Sequence, residues 1–276
     1  MRLVSFLKEG RWCPALRRGD SIVEIADRDL VSAQAVIAAI MDGRKPAEGA
    51  SHRIADITLG LPVPDPGKII CIGLNYVDHA KEGGNPIPDY PAVFLRVRSS
   101  LVAHGQPMVR PHYSDRFDYE AELAIVIGKP ARAVSEADAL SHVFGYSCFN
   151  DGSLRDYQRK STQWTMGKNF DGTGPFGPDI VTADELLPGA VGLRVMCRLN
   201  GKTMQDGNTA DMIFPVARTV ALLSEVMTLE PGDVIITGTP AGVGYARKPP
   251  VFLRPGDVCE IEVEGVGVLS NPVVSA

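Results

Sequence analysis

The sequence offers little that would tie it to a disulfide framework, a bilayer or a nucleic acid. Its five cysteines, Cys13, Cys71, Cys148, Cys197 and Cys259, are odd in number, scattered and free of any C-x-x-C spacing. That argues against disulfides and zinc knuckles and for reduced, buried thiols. No apolar run is long enough to span a bilayer and no basic-then-apolar leader opens the chain, so the expectation is a soluble, cytoplasmic protein. Positive charge is not in excess either: 28 Lys and Arg against 33 Asp and Glu give a net charge of -5. A general electrostatic grip on nucleic acid is thereby disfavoured. Internal repeats and low-complexity tails are missing. Regular strand-helix-strand alternation is missing too, which disfavours a doubly wound sheet.

What is present is a series of short apolar runs cut by 28 Gly and 21 Pro in 276 residues. Residues 3–7 and "SIVEIA" read as strands and "SAQAVIAAIM" as a helix. The stretch from Asp42 to Lys68, rich in Gly, Pro and charge, reads as a linker containing one strand. A boundary near residue 62 follows, with a small N-terminal domain over 1–62 and a larger, β-rich domain over 63–276. In the larger part "KIICIGLNY", "AVFLRV", "EAELAIVIG", "HVFGYSCFN", "GLRVMCRLNG", "DVIITGTP" and "DVCEIEVEGVGVLSN" read as strands. "SEADALSHV" and "FPVARTVALLSEVM" read as helices. The predicted class is α+β, predominantly β.

One strand carries an anomaly. In "DYEAELAIVIG", period-2 alternation places Glu120, Glu122, Ala124 and Val126 on one side, and Tyr119, Ala121, Leu123, Ile125 and Ile127 on the other. Two carboxylates on one face repel, and at a cleft wall they either take up protons or bind a cation. An isolated E-x-E is most often a solvated strand end. Here a third carboxylate, Asp151, closes the strand "HVFGYSCFND", and pairing of adjacent strands could bring it beside the two glutamates. Three oxygen ligands suit Mg2+ or Mn2+, and Ca2+ in a looser cage.

Asp151 opens "DGSLRDYQRK", where Arg155 and Gln158 share a face with it if the segment is helical. Beside a metal, Arg155 reads as a planar grip for an anionic substrate; in isolation it reads as a surface ion pair. Lys168, in the Gly- and Pro-dense "WTMGKNFDGTGPFGP", is positioned to stabilise an oxyanion or enolate if it lies near that metal. His79 and Glu82, three apart, meet on one helical face. His52, His104, His112 and His142 lack paired ligand spacing and read as surface or capping residues.

The segments "GLNYVDHAKE", "DYEAELAIVIG", "NDGSLRDYQ", "GKNFDGTGPFGP", "LNGKTMQDGNTADMIF" and "MTLEPGDVIITGTPAGVG", in this order, resemble the fumarylacetoacetate hydrolase superfamily. The likeness runs from about residue 68 to the C-terminus. It implies a mixed β-roll catalytic domain, usually a homodimer, with a divalent cation on a Glu, Glu, Asp set that maps onto Glu120, Glu122 and Asp151. The family's lysine maps onto Lys168, its substrate-side Arg and Gln onto Arg155 and Gln158, and its Gly-Thr onto Gly238 and Thr239. His79 and Glu82 map onto an acid-base dyad on a closing lid.

Two departures stand out. "LRVRSS" places Arg96 and Arg98 where a rim charge is altered, and Gly152 follows Asp151 where a bulkier residue is common. The acyl pocket is expected near Arg96, Phe176 and the loop after Glu82. The resemblance implies a metal-dependent hydrolase that cleaves a carbon-carbon bond in a small anionic 2,4-dioxo acid of the acylpyruvate type, with His79 activating water and pyruvate departing. Oxaloacetate decarboxylation and dienedioate isomerisation are the alternatives on the same site. A non-catalytic, metal-stabilised binding protein is the alternative of another class. No nucleic-acid or membrane partner is expected.

Overall fold

The strand Ala121–Ile127 is buried along its whole length, and the sheet around it is covered on both faces. Leu123, Ile125 and Ile127 enter one apolar cluster with Ile70, Tyr146 and Ile261. Ala124 and Val126 enter another with Ile69, Phe149 and Phe176. In the computed structural model, which describes residues 1–276, this strand lies inside an 11-stranded mixed sheet. Across that sheet the order is Glu48–Arg53, Ser21–Ile25, Arg11–Arg18, Arg2–Lys8, Gly174–Thr182, Val143–Asn150, Ala121–Ile127, Val234–Ile236, Ile69–Gly73 and Ala92–Leu95. Leu101–Ala103 pairs in parallel with Gly174–Thr182.

A second sheet of 5 strands runs Lys202–Asn208, Arg194–Leu199, Val258–Val263, Gly267–Ser275 and Met108–Arg110. Its inward residues Val195, Cys197, Ile261 and Leu269 share the apolar cluster that holds Leu123 and Ile125. The architecture is therefore strand-dominated α+β with mixed sheets, the class read from the sequence. Helices are few. Val216–Val226 is the longest, and it buries Val216, Thr219, Val220 and Leu223, the spacing of a single helical face.

The first four strands form an antiparallel meander that continues the large sheet, since Leu3 pairs with Ile180. The helix Ala33–Met41 begins at Ser32, whose Oγ accepts the Ala35 N–H at 3.1 Å. Arg11–Arg18 is a strand that periodicity missed. Its charged ends and Pro14, which lies opposite Ser5, mask the alternation. Val4, Phe6, Ala15 and Ile22 make a small apolar cluster formed within the first 62 residues.

The segment after Asp151 is not one helix. Ser153–Leu154 is a short strand paired with Phe117–Asp118, and the helix spans only Arg155–Gln158. Asp151, Arg155 and Gln158 therefore do not share a helical face. Strand pairing, rather than helical spacing, brings Asp151 to the other carboxylates.

Candidate functional site

Ala121 pairs with Asn150 in an antiparallel ladder, so Glu120 and Asp151 stand opposite each other just beyond it. The Asp151 N–H donates to the Glu120 carbonyl at 2.9 Å, which locks that register. Glu122 lies two residues on, on the same face. The three buried carboxylates each offer an oxygen within 4.8 Å of the others, so they could hold a divalent metal ion.

The charges around them are unevenly shared. Lys168, at the end of the short helix Thr165–Lys168, donates from Nζ to Asp151 Oδ2 at 2.5 Å and also to Glu120 Oε2. Gly167 permits that approach, because a Cβ there would fall 2.5 Å from the Gln158 backbone. Arg155 donates from Nε to Asp118 at 2.8 Å, and its Nη2 sits 2.7 Å from Glu120 as an ion pair without hydrogen-bond alignment. Asp118 is itself held by the N–H groups of Gly244 and Tyr245 at 2.8 and 3.0 Å.

These contacts set the proton affinities. Burial would raise the Glu120 carboxyl, but Arg155 and then Lys168 outweigh it and hold it below the ordinary range. Glu122 has no such partner. Burial first, then the charges of Asp151 and Glu120, push its carboxyl well above the ordinary value, against Lys168 and the Gly238 N–H that donates to it at 2.5 Å. For Lys168, burial favours the neutral amine, yet Asp151 and Glu120 prevail and raise it above the ordinary value, so it stays an ammonium. A buried carboxyl without a counter-charge, between two others, is the donor set a hard dication satisfies.

His79 and Glu82 occupy the short helix Val77–Glu82, with His79 Nδ1 3.1 Å from Glu82 Oε1. Both Glu82 oxygens also accept the Gly242 N–H at 3.0 Å, which fixes the carboxylate. Gly238 has φ +95°, and a Cβ there would lie 2.8 Å from the Asn75 Cβ. Only glycine brings this turn close enough for its N–H to reach Glu122. The Thr239 hydroxyl donates to the Ala121 carbonyl at 2.9 Å and accepts from Gln205 at 2.7 Å. Gln158 accepts from Arg155 Nη1 at 2.9 Å.

His79, Glu120, Glu122, Asp151, Arg155 and Lys168 line one cavity of about 370 Å3, together with Gln158 and Thr239. Glu82 stands behind His79, and Gly238 behind Glu122. Arg96 is not the rim residue the sequence suggests. It is buried and donates to Asp151 Oδ1 at 2.5 Å, to the Gly152 carbonyl at 3.2 Å and to Thr173 at 2.8 Å. Nor does Phe176 wall the cavity; it is buried against Phe149, with ring centroids 6.0 Å apart. Arg98 is exposed and pairs with Asp65 at 2.9 Å. Gly152 is required because a Cβ would fall 2.1 Å from the Thr173 carbonyl oxygen. Sequence reasoning passed over Asp118, Arg159 and Tyr245. Asp118 left a trace, a third acid at the head of the E-x-E strand, whereas Arg159 and Tyr245 carry no local signal.

The family described as Fumarylacetoacetate (FAA) hydrolase C-terminal matches residues 68–274. The protein named Oxaloacetate tautomerase fahd2, mitochondrial, of Xenopus laevis is 47% identical over 223 residues, 80% of this chain and 69% of its own length. Fumarylacetoacetate hydrolase (EaFAH) from psychrophilic Exiguobacterium antarcticum has the same fold, with a TM-score of 0.87 at 37% identity over 100% of both chains. The 2-hydroxyhepta-2,4-diene-1,7-dioate isomerase of Mycobacterium marinum has a TM-score of 0.83 at 35% identity, over 100% of this chain and 98% of that one. These relatives are enzymes by name, and the names cover tautomerisation, hydrolysis and isomerisation. No helix of the chain is long and apolar enough to cross a membrane.

Proposed function

The chain belongs to the fumarylacetoacetate hydrolase family, and on that premise we propose that it interconverts keto and enol forms of a small 2-oxo dicarboxylic acid, oxaloacetate being the candidate taken from the relative's name. The observation that carries this reading is the single cavity lined by Glu120, Glu122, Asp151, Lys168 and His79. The names of the tautomerase and isomerase relatives support it over the carbon-carbon hydrolysis expected from the sequence.

When bound by Glu120, Glu122 and Asp151, a divalent cation, proposed as Mg2+ or Mn2+ with Ca2+ admitted by the same oxygens, would supply an electrophile for the substrate's 2-oxo oxygen and carboxylate. The chain's own groups do the proton work. A carboxylate only accepts, so the Glu82 contact keeps the proton on His79 Nδ1 and leaves Nε2 as the basic nitrogen. Nε2 takes a proton from carbon 3, the C–H electron pair becomes the carbon-carbon double bond, the oxygen on carbon 2 takes a proton from water, and the hydroxide so formed takes the proton back from Nε2, which restores the water and the neutral imidazole. Lys168, fixed as an ammonium, favours the negative charge that develops on that oxygen. Arg155 holds Glu120 in place and lines the cavity with Gln158 and Thr239, while Gly238 anchors Glu122 from behind.

The test is the rate at which the ultraviolet absorbance of oxaloacetate enol approaches equilibrium, with metal-loaded protein, after chelation, and with His79→Gln. Acceleration by the loaded wild type alone is expected. No acceleration would sink the tautomerase reading. Pyruvate release from an acylpyruvate would then favour hydrolysis, the second reading, in which the His79–Glu82 pair directs the same base at water. Pyruvate from oxaloacetate would indicate decarboxylation, and no turnover of any of these a binding protein.

Three further expectations stand as proposals. The division at residue 62 is supported by the small apolar cluster formed within the first 62 residues and by a family match that begins at residue 68. Homodimerisation rests on the family. The cytoplasmic setting rests on the sequence reading alone, and the Xenopus relative carries the word mitochondrial in its name.

A further inference from the structure

A substrate with a second carboxylate needs a cation that the protein has not already neutralised. Most of the positive charge around the cavity fails that condition. Lys168 bridges Glu120 and Asp151, Arg155 lies between Asp118 and Glu120, and Arg96 donates to Asp151. Arg159 lines the same cavity, is exposed, and its side chain makes neither an ion pair nor a hydrogen bond.

Arg159 is nevertheless held in place. It follows the one-turn helix Arg155–Gln158, so it stands four residues from Arg155 on the same side of the turn. Both guanidiniums lie over the ring of Tyr245, each 4.6 Å from its centroid, and are therefore less than twice that distance apart. The ring is fixed from behind, because the Tyr245 N–H donates at 3.0 Å to Asp118, the carboxylate that also holds Arg155. Its hydroxyl end reaches the helix that carries His79 and Glu82: a Cβ on Gly83 would lie 2.8 Å from the Tyr245 oxygen. A guanidinium resting on an aromatic face keeps its N–H edges free, and those edges form the planar fork that matches a carboxylate.

We propose that Arg159, supported by Tyr245, binds the distal carboxylate of a dicarboxylic substrate whose 2-oxo acid end faces Glu120, Glu122 and Asp151. The inference rests on the 2-oxo acid reading above and adds to it the residue that selects diacids over monoacids. Arg155, by contrast, is a positioning residue in this scheme: Nε and Nη1 donate to Asp118 and Gln158, and Nη2, without an aligned hydrogen bond, lies 2.7 Å from Glu120 as its counter-charge.

The test separates the two levels. Binding of 2-oxoglutarate and of 2-oxopentanoate, which share the 2-oxo acid end and the chain length but differ in the distal carboxylate, is measured calorimetrically on magnesium-loaded wild type, Arg159→Gln and Arg159→Lys. A charge-assisted contact predicts a wild-type preference for the diacid of about tenfold or more. That preference should collapse in Arg159→Gln through weaker diacid binding and return in part in Arg159→Lys. A preference that survives in Arg159→Gln, or no preference in a wild type that binds both acids, overturns the assignment of Arg159 and leaves the 2-oxo acid reading standing. Binding of neither acid by the loaded protein overturns both.

Discussion

Arg96 donates to Asp151 Oδ1 at 2.5 Å while Lys168 holds the other oxygen of that carboxylate at the same distance, so the Asp151 carboxylate is clamped on both sides. Replacing Arg96 by Gln leaves the buried Asp151 carboxylate with only Lys168 as counter-charge and removes the donors to Thr173 Oγ1 and the Gly152 carbonyl. The expected loss of stability is about 3 to 5 kcal/mol, as for other broken buried pairs. Metal affinity should fall roughly 10- to 100-fold, because Asp151 loses its orientation. Denaturant unfolding and a calorimetric metal titration read the two effects; wild-type values in both would refute the clamp.

Glu122 is the carboxyl without a counter-charge. In metal-free protein at neutral pH, Glu122→Gln removes a carboxyl whose ionisation is disfavoured in the fold by burial first and then by the charges of Asp151 and Glu120. A gain in stability on the order of 1 kcal/mol is expected. The same substitution should abolish the rise in melting temperature that magnesium or manganese gives the wild type. Melting curves of both proteins with and without metal check this, and a variant still stabilised by metal would remove Glu122 from the ligand set.

The direction of the Glu122 shift also sets a pH dependence. An acid whose folded-state pKa is raised contributes stability that is fully present below its ordinary value of 4.5 and is lost as pH rises through the folded value. Metal-free protein should therefore lose this contribution as pH rises above about 4.5, while bound metal offsets the loss. Metal binding should release a proton within that window, visible as a buffer-dependent heat of binding. A buffer-independent heat would contradict the raised Glu122 carboxyl.

His79 is proposed as the base and not as a ligand. His79→Gln should lower turnover by roughly 10² to 10⁴ with metal affinity unchanged. Glu82→Gln should lower turnover less, since Gly242 still anchors the side chain. Steady-state rates alongside metal content decide the matter, and full turnover in His79→Gln would exclude the dyad.

Gly238→Ala tests the turn beside Glu122. At φ +95°, with the Asn75 Cβ 2.8 Å from the added methyl, the cost should be about 1 to 3 kcal/mol. Thermal unfolding measures it, and an unperturbed melting temperature would show that the turn tolerates a side chain.

Several features were open to a linear reading. The alternation in "DYEAELAIVIG" assigns Glu120 and Glu122 to one face, because the period of a strand is two whatever surrounds it. His79 and Glu82 meet through the same local logic at helical spacing. Where local rules were pressed too far they misled. Asp151, Arg155 and Gln158 fit a helical face on paper, yet a strand intervenes and Arg155 turns to Asp118 and Glu120.

By itself, then, the sequence determined the strand-rich class, the position of the acidic pair, and, through the order of its motifs, the family. Tertiary structure alone decided which cations are already neutralised. Arg96 meets Asp151 across 55 residues, and Arg155 meets Asp118 across 37. Strand pairing and sheet packing set these distances, and periodicity does not encode them. The same holds for Arg159, whose side chain forms no ion pair and rests on the Tyr245 ring while Arg155 pairs with Asp118 and Glu120, a fact of geometry that no spacing in the chain reveals.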